Sequence, residues 1–465
     1  MAMGRRKRRI RQKELWIPAG ELPRSAGHPF YQRLSELLDE HGFDAFVEGL
    51  CAKFYAPTMG RPSLTPGIYF RGLLIGYFEG IDSERGIAWR IEDSLSLRRF
   101  LAIDLDERPP DHSTISRTRR LIDVETHRAV FTWALRLLAR EGLLEGGTIG
   151  VDATTLEADA AMRTLVRRDT GEGYEEYLRR LALESGIETP TRAQLAKIDK
   201  QRKNKASNAD WTHPYDPDAR VTKMKDGRTH LAHKAEHAVN LETGAVVAVT
   251  LQGADEGDTT TIEQTLVEAA EQLEAAADEP DGVEEKVGGI GEVIADKGYH
   301  SNRVLTDLKE LGIRSYISEP EHGRRNWKGK GKERAAVYGN RRRIGGARGK
   351  RLMRLRGERV ERTFAHCYET GGMRRLYLRG RQNILKRLLI HVGAFNLSLA
   401  LRKALGAGTP RGLAEAQHSL QPLAEPFWAV LAAVGVWLGL PCRPQPAQDP
   451  VAAIPRPIAP LACAA

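Results

Sequence analysis

Val293-Ile294-Ala295-Asp296-Lys297-Gly298-Tyr299-His300-Ser301 is an apolar run that hands one aspartate into a turn. Branched and small apolar residues ahead of a Lys-Gly pair read as a buried strand that changes direction abruptly. Far upstream, Thr148-Ile149-Gly150-Val151-Asp152-Ala153 repeats the arrangement. Two such strands can lie side by side in one sheet at ~4.8 Å spacing, which brings both carboxylates to one rim. Downstream, Arg356-Gly357-Glu358-Arg359-Val360-Glu361-Arg362 offers two glutamates on a helix. Clustered carboxylates repel one another unless a cation or a shared proton holds them. Hard divalent ions take oxygen ligands, and Mg2+ typically keeps one or two carboxylates together with waters and phosphate oxygens. Each aspartate alone is an ordinary turn former. Their joint order in a basic chain predicts a Mg2+ site acting on nucleic acid.

Around these segments the grammar alternates. Thr148–Ala153, a hairpin through Glu242-Thr243-Gly244, a helix from Asp258, the Asp296 strand, a helix through Leu305 and Leu308, and a strand at Ile313–Ile317 follow one another. That succession predicts a mixed α/β sheet with helices on its faces. A polar, helix-prone insertion interrupts it at about 156–227, with a charge cluster at Lys197–Lys205. Ahead of the sheet, apolar residues from Phe30 to about Gly142 recur every three or four positions, with Thr65-Pro66, Ser83 and Asp111 as helix starts. The expected organisation is a basic arm (1–27), an all-α N-terminal domain (28–143), an α/β domain (144–405) and an Ala/Pro-rich tail (406–465). The tail reads either as a loosely attached apolar appendage or as disordered.

The 465 residues carry a formal charge of +10, and 41% are apolar. The surplus favours polyanions, because Lys and Arg that neutralise phosphates release condensed counterions. Four scattered cysteines show neither metal-ligand spacing nor a disulfide framework, which predicts a reducing, cytoplasmic setting. The basic N-terminus lacks the apolar core of a secretory signal, and Phe427–Leu440 is shorter than the roughly 20 residues a membrane helix needs. No membrane partner is expected. No glycine-rich phosphate loop is evident, which argues against ATP dependence.

Several cationic residues are candidates for DNA contact. Arg117, Arg119 and Arg120 lie on the second of two short helices, an arrangement shared by helix-turn-helix domains and by ordinary bundles with a solvated basic face. Lys297 follows the second aspartate. The stretch Arg324–Arg356, interrupted by Trp327 and Tyr338, reads as a solvated loop or as a DNA-tracking surface leading into the glutamate helix. His237 and Asn240 are candidates either for supporting the site or for holding their own strand.

The Val-Asp-Ala-Thr strand, the Ala-Asp-Lys-Gly-Tyr-His-Ser turn, the Val-Glu-Arg-Thr-Phe-Ala-His helix and Asn383-Ile384-Leu385-Lys386-Arg387-Leu388-Leu389 together resemble DDE-type insertion-sequence transposases of bacteria. The resemblance spans about Leu64 to Leu401. It implies an RNase H-like catalytic fold and two Mg2+ ions, with Mn2+ able to substitute. It also implies double-stranded DNA partners (terminal inverted repeats and target) and a homodimer or larger assembly on DNA. Asp152, Asp296 and Glu361 match the three acidic positions, with Glu358 one helical turn earlier as the rival. The chain departs from many relatives at two places. Gly357 stands where an arginine is usual and Tyr368 where a basic residue is usual, so Arg354, Arg356, Arg359 and Arg362 become the candidate substitutes in contacting DNA. Two alternatives remain: a non-catalytic, sequence-specific DNA-binding protein (a decayed element), and an RNase H-like nuclease without strand transfer.

Overall fold

The computed structural model describes residues 27–56, 63–202, 207–224, 226–277, 287–321, 323 and 325–415. Most of the basic arm, part of the 197–205 charge cluster, the apolar run 427–440 and the tail beyond 415 lie outside the described residues.

Among the described residues seven α-helices come first: α1 (Pro29–Glu40), α2 (Phe43–Cys51), α3 (Pro66–Phe78), α4 (Glu84–Glu92), α5 (Leu95–Phe100), α6 (His112–Leu121) and α7 (Val124–Arg140). Their starts follow local chemistry. Ser83 caps α4 by accepting from the Gly86 amide, and Asp111 caps α6 by accepting from the Thr114 amide. Thr65 stands at the N-cap of α3, whose first residue is Pro66, but its side chain makes no capping bond. Gly142 ends α7 with φ +65°, a left-handed geometry that glycine adopts without steric cost.

The strands are β1 (Gly146–Glu157), β2 (Val166–Arg167), β3 (Trp211–Thr212), β4 (Arg220–Lys223), β5 (Thr229–Asn240), β6 (Val246–Gly253), β7 (Gly288–Ala295) and β8 (Arg314–Ile317). Six of them form one mixed sheet. β5 pairs antiparallel with β1 on one edge and with β4 and β6 on the other. β7 runs parallel to β1, and β8 parallel to β7. The expected β5–β6 hairpin is present, and Asn240 holds its turn by accepting from the Glu242 and Thr243 amides at 2.9 and 3.0 Å. β2 and β3 pair with each other inside the insertion, which also contains α8 (Tyr174–Glu184) and α9 (Arg192–Gln201) and has small apolar clusters of its own.

The remaining helices are α10 (Asp258–Ala277), α11 (Asn302–Glu310), α12 (Gly331–Gly345), α13 (Ala347–Phe364) and α14 (Arg381–Leu405). The basic stretch that could have been a solvated loop is therefore mostly α12 and the first half of α13. α10 and α13 cover opposite faces of the sheet. Glu236 of β5 bonds to α10 and its neighbour His237 bonds to α13, as alternation along a strand requires.

α14 is long and apolar enough to cross a membrane by composition, yet it is the buried centre of the fold. Its Asn396 side chain both accepts from and donates to the Val246 backbone, satisfying the exposed edge of β6. α3 and α7 pack against the same helix, so the N-terminal helices and the sheet share one hydrophobic core.

Candidate active site

β1 is the central strand, and Asp152 leaves it near its middle. The last registered pair between β1 and β7 is Gly150 opposite Ile294. Two residues further along each parallel strand come Asp152 and Asp296, at the same level of the rim. The Asp152 side chain accepts from the Ala153 amide at 2.9 Å and from Arg356 Nη1 of α13 at 2.5 Å. Burial pushes its carboxyl pKa up, the Arg356 charge opposes the rise, and the negative charge of Asp296 adds to it. Asp296 caps the short turn Lys297–Tyr299, accepting from the Gly298 amide at 2.8 Å.

A buried polar network supports this turn from the α10 side. Tyr299 is wholly buried and donates to Glu236 Oε1 at 2.7 Å. Thr261 and Thr265 of α10 also donate to the Glu236 carboxylate. Lys234 bonds Asp258 Oδ1 at 2.6 Å and Thr261 at 2.9 Å. Asp258 in turn crowds the Asp296 turn. A Cβ on Gly298 would sit 2.4 Å from Asp258 Oδ2, so a larger residue there would have to push the Asp258 carboxylate aside. Burial raises the pKa of Glu236, against the hydrogen bonds from Thr265, Tyr299 and Thr261 and the nearby charge of Lys234.

On the opposite face, His237 stands across from Asp152 in the β1–β5 register. Its Nδ1 lies 3.0 Å from Thr363 Oγ1 and its Nε2 2.6 Å from the Tyr368 hydroxyl. Thr363 gives its only hydroxyl proton to the Val360 carbonyl. Proton counting then makes Nδ1 the donor to Thr363 and Nε2 the acceptor from Tyr368. Burial pushes the His237 pKa down to about 3, so the ring is neutral. Tyr368, found where a basic residue is usual in the resembling family, lies in the π-helical turn Ala365–Thr370 that continues α13, and is thus a buried brace joining that turn to β5.

α13 buries a stripe of Gly349 (against the end of α12), Leu352, Val360 and Thr363, and Arg356 lies in that stripe. Glu361 is one residue past Val360, about 100° further round the helix. It is exposed and makes no side-chain hydrogen bond or ion pair among the described residues. Glu358 is exposed too, tied to Arg362 at 3.1 Å. Among the described residues no group of three or more His, Cys, Asp and Glu side chains is arranged to hold a metal ion. The structure brings Asp152 and Asp296 together and leaves Glu361 outside. Even so, the pair is chemically suited to a hard cation: two carboxylates on one rim, one already bound to the positive charge of Arg356.

The other cationic candidates separate into groups. Arg119 is buried, bonds Glu84 at 2.7 Å and accepts from Lys386 through its carbonyl. It ties α6 to α4 and α14 and is not presented to DNA, which corrects its reading as a contact residue. Arg117 and Arg120 are exposed on α6. Lys297 is exposed beside Asp296. Arg359 lies over the β5–β6 turn, where a Cβ on Gly244 would meet it at 3.6 Å. Within the basic stretch, Arg341, Arg343 and Arg348 are committed to Glu319, Ser315 and Glu292. Lys350, Arg351 and Arg354 are exposed on α13.

Sequence reasoning missed Lys234, Glu236 and Asp258. A lysine and a glutamate two positions apart, each flanked by alanine, were the available signal, since both must face the same way and a buried pair needs partners.

Residues 20–121 match the model of a transposase domain (DUF772), and residues 198–397 match that of a transposase DDE domain. Asp296 and Glu361 lie within the second match, whereas Asp152 falls between the two. No curated protein matches the chain.

Proposed function

As the chain belongs to the DDE-type insertion-sequence transposases, we propose that it cuts the ends of its own element and joins the freed 3′-hydroxyl to target DNA. The observation that carries this reading is the Asp152–Asp296 pair on neighbouring parallel strands, with α13 crossing beside it. The sheet order supports assigning the α/β part to the RNase H-like class. Three antiparallel strands (β6, β5, β1) are followed by β7 and β8 parallel to β1, with α10 between β6 and β7 in sequence.

Asp152, Asp296 and Glu361 would hold two Mg2+ ions, or Mn2+ in their place. Metal held there would supply activation of the attacking water or 3′-hydroxyl and charge neutralisation at the leaving oxygen. The remaining work falls to the protein. The Gly298 amide and the Tyr299–Glu236 bond hold Asp296 in its turn. Lys297 contacts a substrate phosphate beside it. Arg359 and Arg362, with Lys350, Arg351 and Arg354, track the DNA backbone along α13. Arg117 and Arg120 present α6 to the terminal repeats, together with the basic arm. Residues 28–143 act as the end-binding unit and 144–405 as the catalytic one. Two ends must be held together for joining, so the working unit on DNA is a dimer or larger.

The test is incubation of the purified protein with Mg2+ and a supercoiled plasmid carrying the DNA that flanks its gene, followed by mapping of the broken ends. Cuts at the element's boundaries that disappear in Asp152→Ala, with joined products in the wild type, are expected. The exposed position of Glu361 favours a second reading, a DNA-binding protein without catalysis; end-specific binding with no cuts under these conditions would select it. Cuts without joined products would select a nuclease lacking strand transfer.

A further inference from the structure

Arg356 is placed oddly for a residue that contacts DNA. It lies in the buried stripe of α13, only 14% of its side chain is exposed, and it spends Nη1 on Asp152 Oδ2. Arginine normally grips a carboxylate through two parallel bonds. Here one bond forms, and the buried Nε has no hydrogen-bond partner among the described residues. The guanidinium therefore occupies an oxygen that the proposed metal site needs, through an incomplete contact that can be exchanged.

We propose that Arg356 is an internal counter-ion that holds Asp152 until DNA arrives, so that metal loading and DNA binding are coupled. The inference rests on the metal-site reading above. A cation that takes Asp152 must displace the guanidinium. A displaced, partly buried arginine without an anion is costly, because removing one partner leaves the other charge uncompensated. A phosphate of the DNA backbone supplies that anion, and Lys350, Arg351 and Arg354 on the same helix draw it there. DNA thus favours release of Arg356 and metal binding. By reciprocity, metal favours DNA binding by the same factor.

The test measures Mn2+ affinity of the full chain by loss of the free-ion electron paramagnetic resonance signal, with and without a non-specific duplex, after subtracting Mn2+ bound by the duplex alone. Arg356→Gln should bind Mn2+ at least about tenfold tighter than wild type without DNA, as expected for removing one charge-assisted competitor. DNA should then add little to the variant but tighten the wild type. Arg356→Lys keeps a competing charge and should behave like wild type. Arg356→Met carries the same expectation as Arg356→Gln and replaces it should that variant fail to melt cooperatively. If the neutral variant and the wild type bind Mn2+ equally without DNA while Asp152→Asn binds none, the counter-ion role is overturned and the metal site stands. If none binds more Mn2+ than Asp152→Asn with or without DNA, the metal site itself falls and the inference with it.

Discussion

At the rim of the sheet, Asp152 and Asp296 are set by the backbone ladder of β1 and β7, whereas Glu361 is placed only by how α13 docks across it. A strand register shifts in steps of a whole residue and turns every side chain to the other face, so it is strongly specified once one face is buried. A docked helix can rotate or slide by small amounts at much lower cost. Asp296 also has a buried network beneath its turn and Asp152 is tied to Ala153 and Arg356, while Glu361 stands in solvent one residue past the seam. The rim is preorganised. The helix-borne acid is the adjustable part, and the Arg356–Asp152 bond is what it has to give up.

The sharpest way to break this contrast is to remove the acids one at a time. Asp152→Asn and Asp296→Asn should each lower end cleavage by roughly a thousandfold or more, because metal-ion catalysis supplies several kcal/mol and each 1.36 kcal/mol is tenfold. End-specific binding, read by gel shift, should persist. Glu361→Gln should abolish cleavage equally if α13 delivers it to the rim on DNA. Wild-type cleavage by Glu361→Gln would mean that the rim works with two carboxylates or recruits another.

The two buried tyrosines probe the supports on either face. Tyr299→Phe leaves Glu236 short of a donor, and Tyr368→Phe leaves His237 Nε2 without one. Each should cost about 1–3 kcal/mol of unfolding free energy, the usual penalty for an orphaned buried polar group. They should differ at the site. Tyr299→Phe is expected to weaken Mn2+ binding several-fold, since it loosens the turn that carries Asp296. Tyr368→Phe should leave Mn2+ binding unchanged while reducing cleavage. Equal effects on Mn2+ would erase the distinction between a preset rim and a separately braced helix.

Acid stability offers a gentler test. His127, His237 and His391 are buried, and burial holds each pKa down to about 3 from an ordinary value of 6.5. As pH falls below 6.5 the unfolded chain takes up these protons and the folded chain does not. Their contribution is therefore complete above pH 6.5 and is lost on the way down toward pH 3. The slope is roughly 1.4 kcal/mol per pH unit for each histidine. Denaturant titration between pH 6 and 4 should show His237→Gln reducing that slope by one proton's worth. An unchanged slope would mean that His237 is not held neutral by its burial.

Much of the rim could be read from the residues alone. Continuous apolar runs leading into aspartate mark both strands, and although β1 runs on to Glu157 beyond its acid, pairing of the neighbouring strands then sets the two acids at one level. The three arginines of α6 look alike in sequence, yet Arg119 faces Glu84 while Arg117 and Arg120 face solvent; only the packing of α6 on α4 decides which. The length of α13 was hidden for a related reason. Its buried stripe contains a glycine and an arginine (Gly349 and Arg356) in place of apolar side chains, so the apolar period that marks a helix is broken before Val360. Lys234, Glu236 and Asp258 escaped because their meaning depends on α10 covering that face of β5, a tertiary fact.

The smallest expected effect separates the two glutamates. Glu358 and Glu361 are both exposed, but Glu358 is already committed to Arg362 in an i,i+4 pair worth about 0.3–0.5 kcal/mol at a helix surface. Glu358→Gln should shift stability by no more than that and leave cleavage intact. Glu361, with no such partner, can be drawn to a cation without breaking a bond. If instead Glu358→Gln stops cleavage and Glu361→Gln does not, α13 must present its other glutamate to the rim. The two side chains lie about 300° apart around the helix, or 60° the other way, so the helix would then have to dock on DNA in a rotated position. The pair of variants therefore measures how α13 is turned on DNA as well as naming the acid.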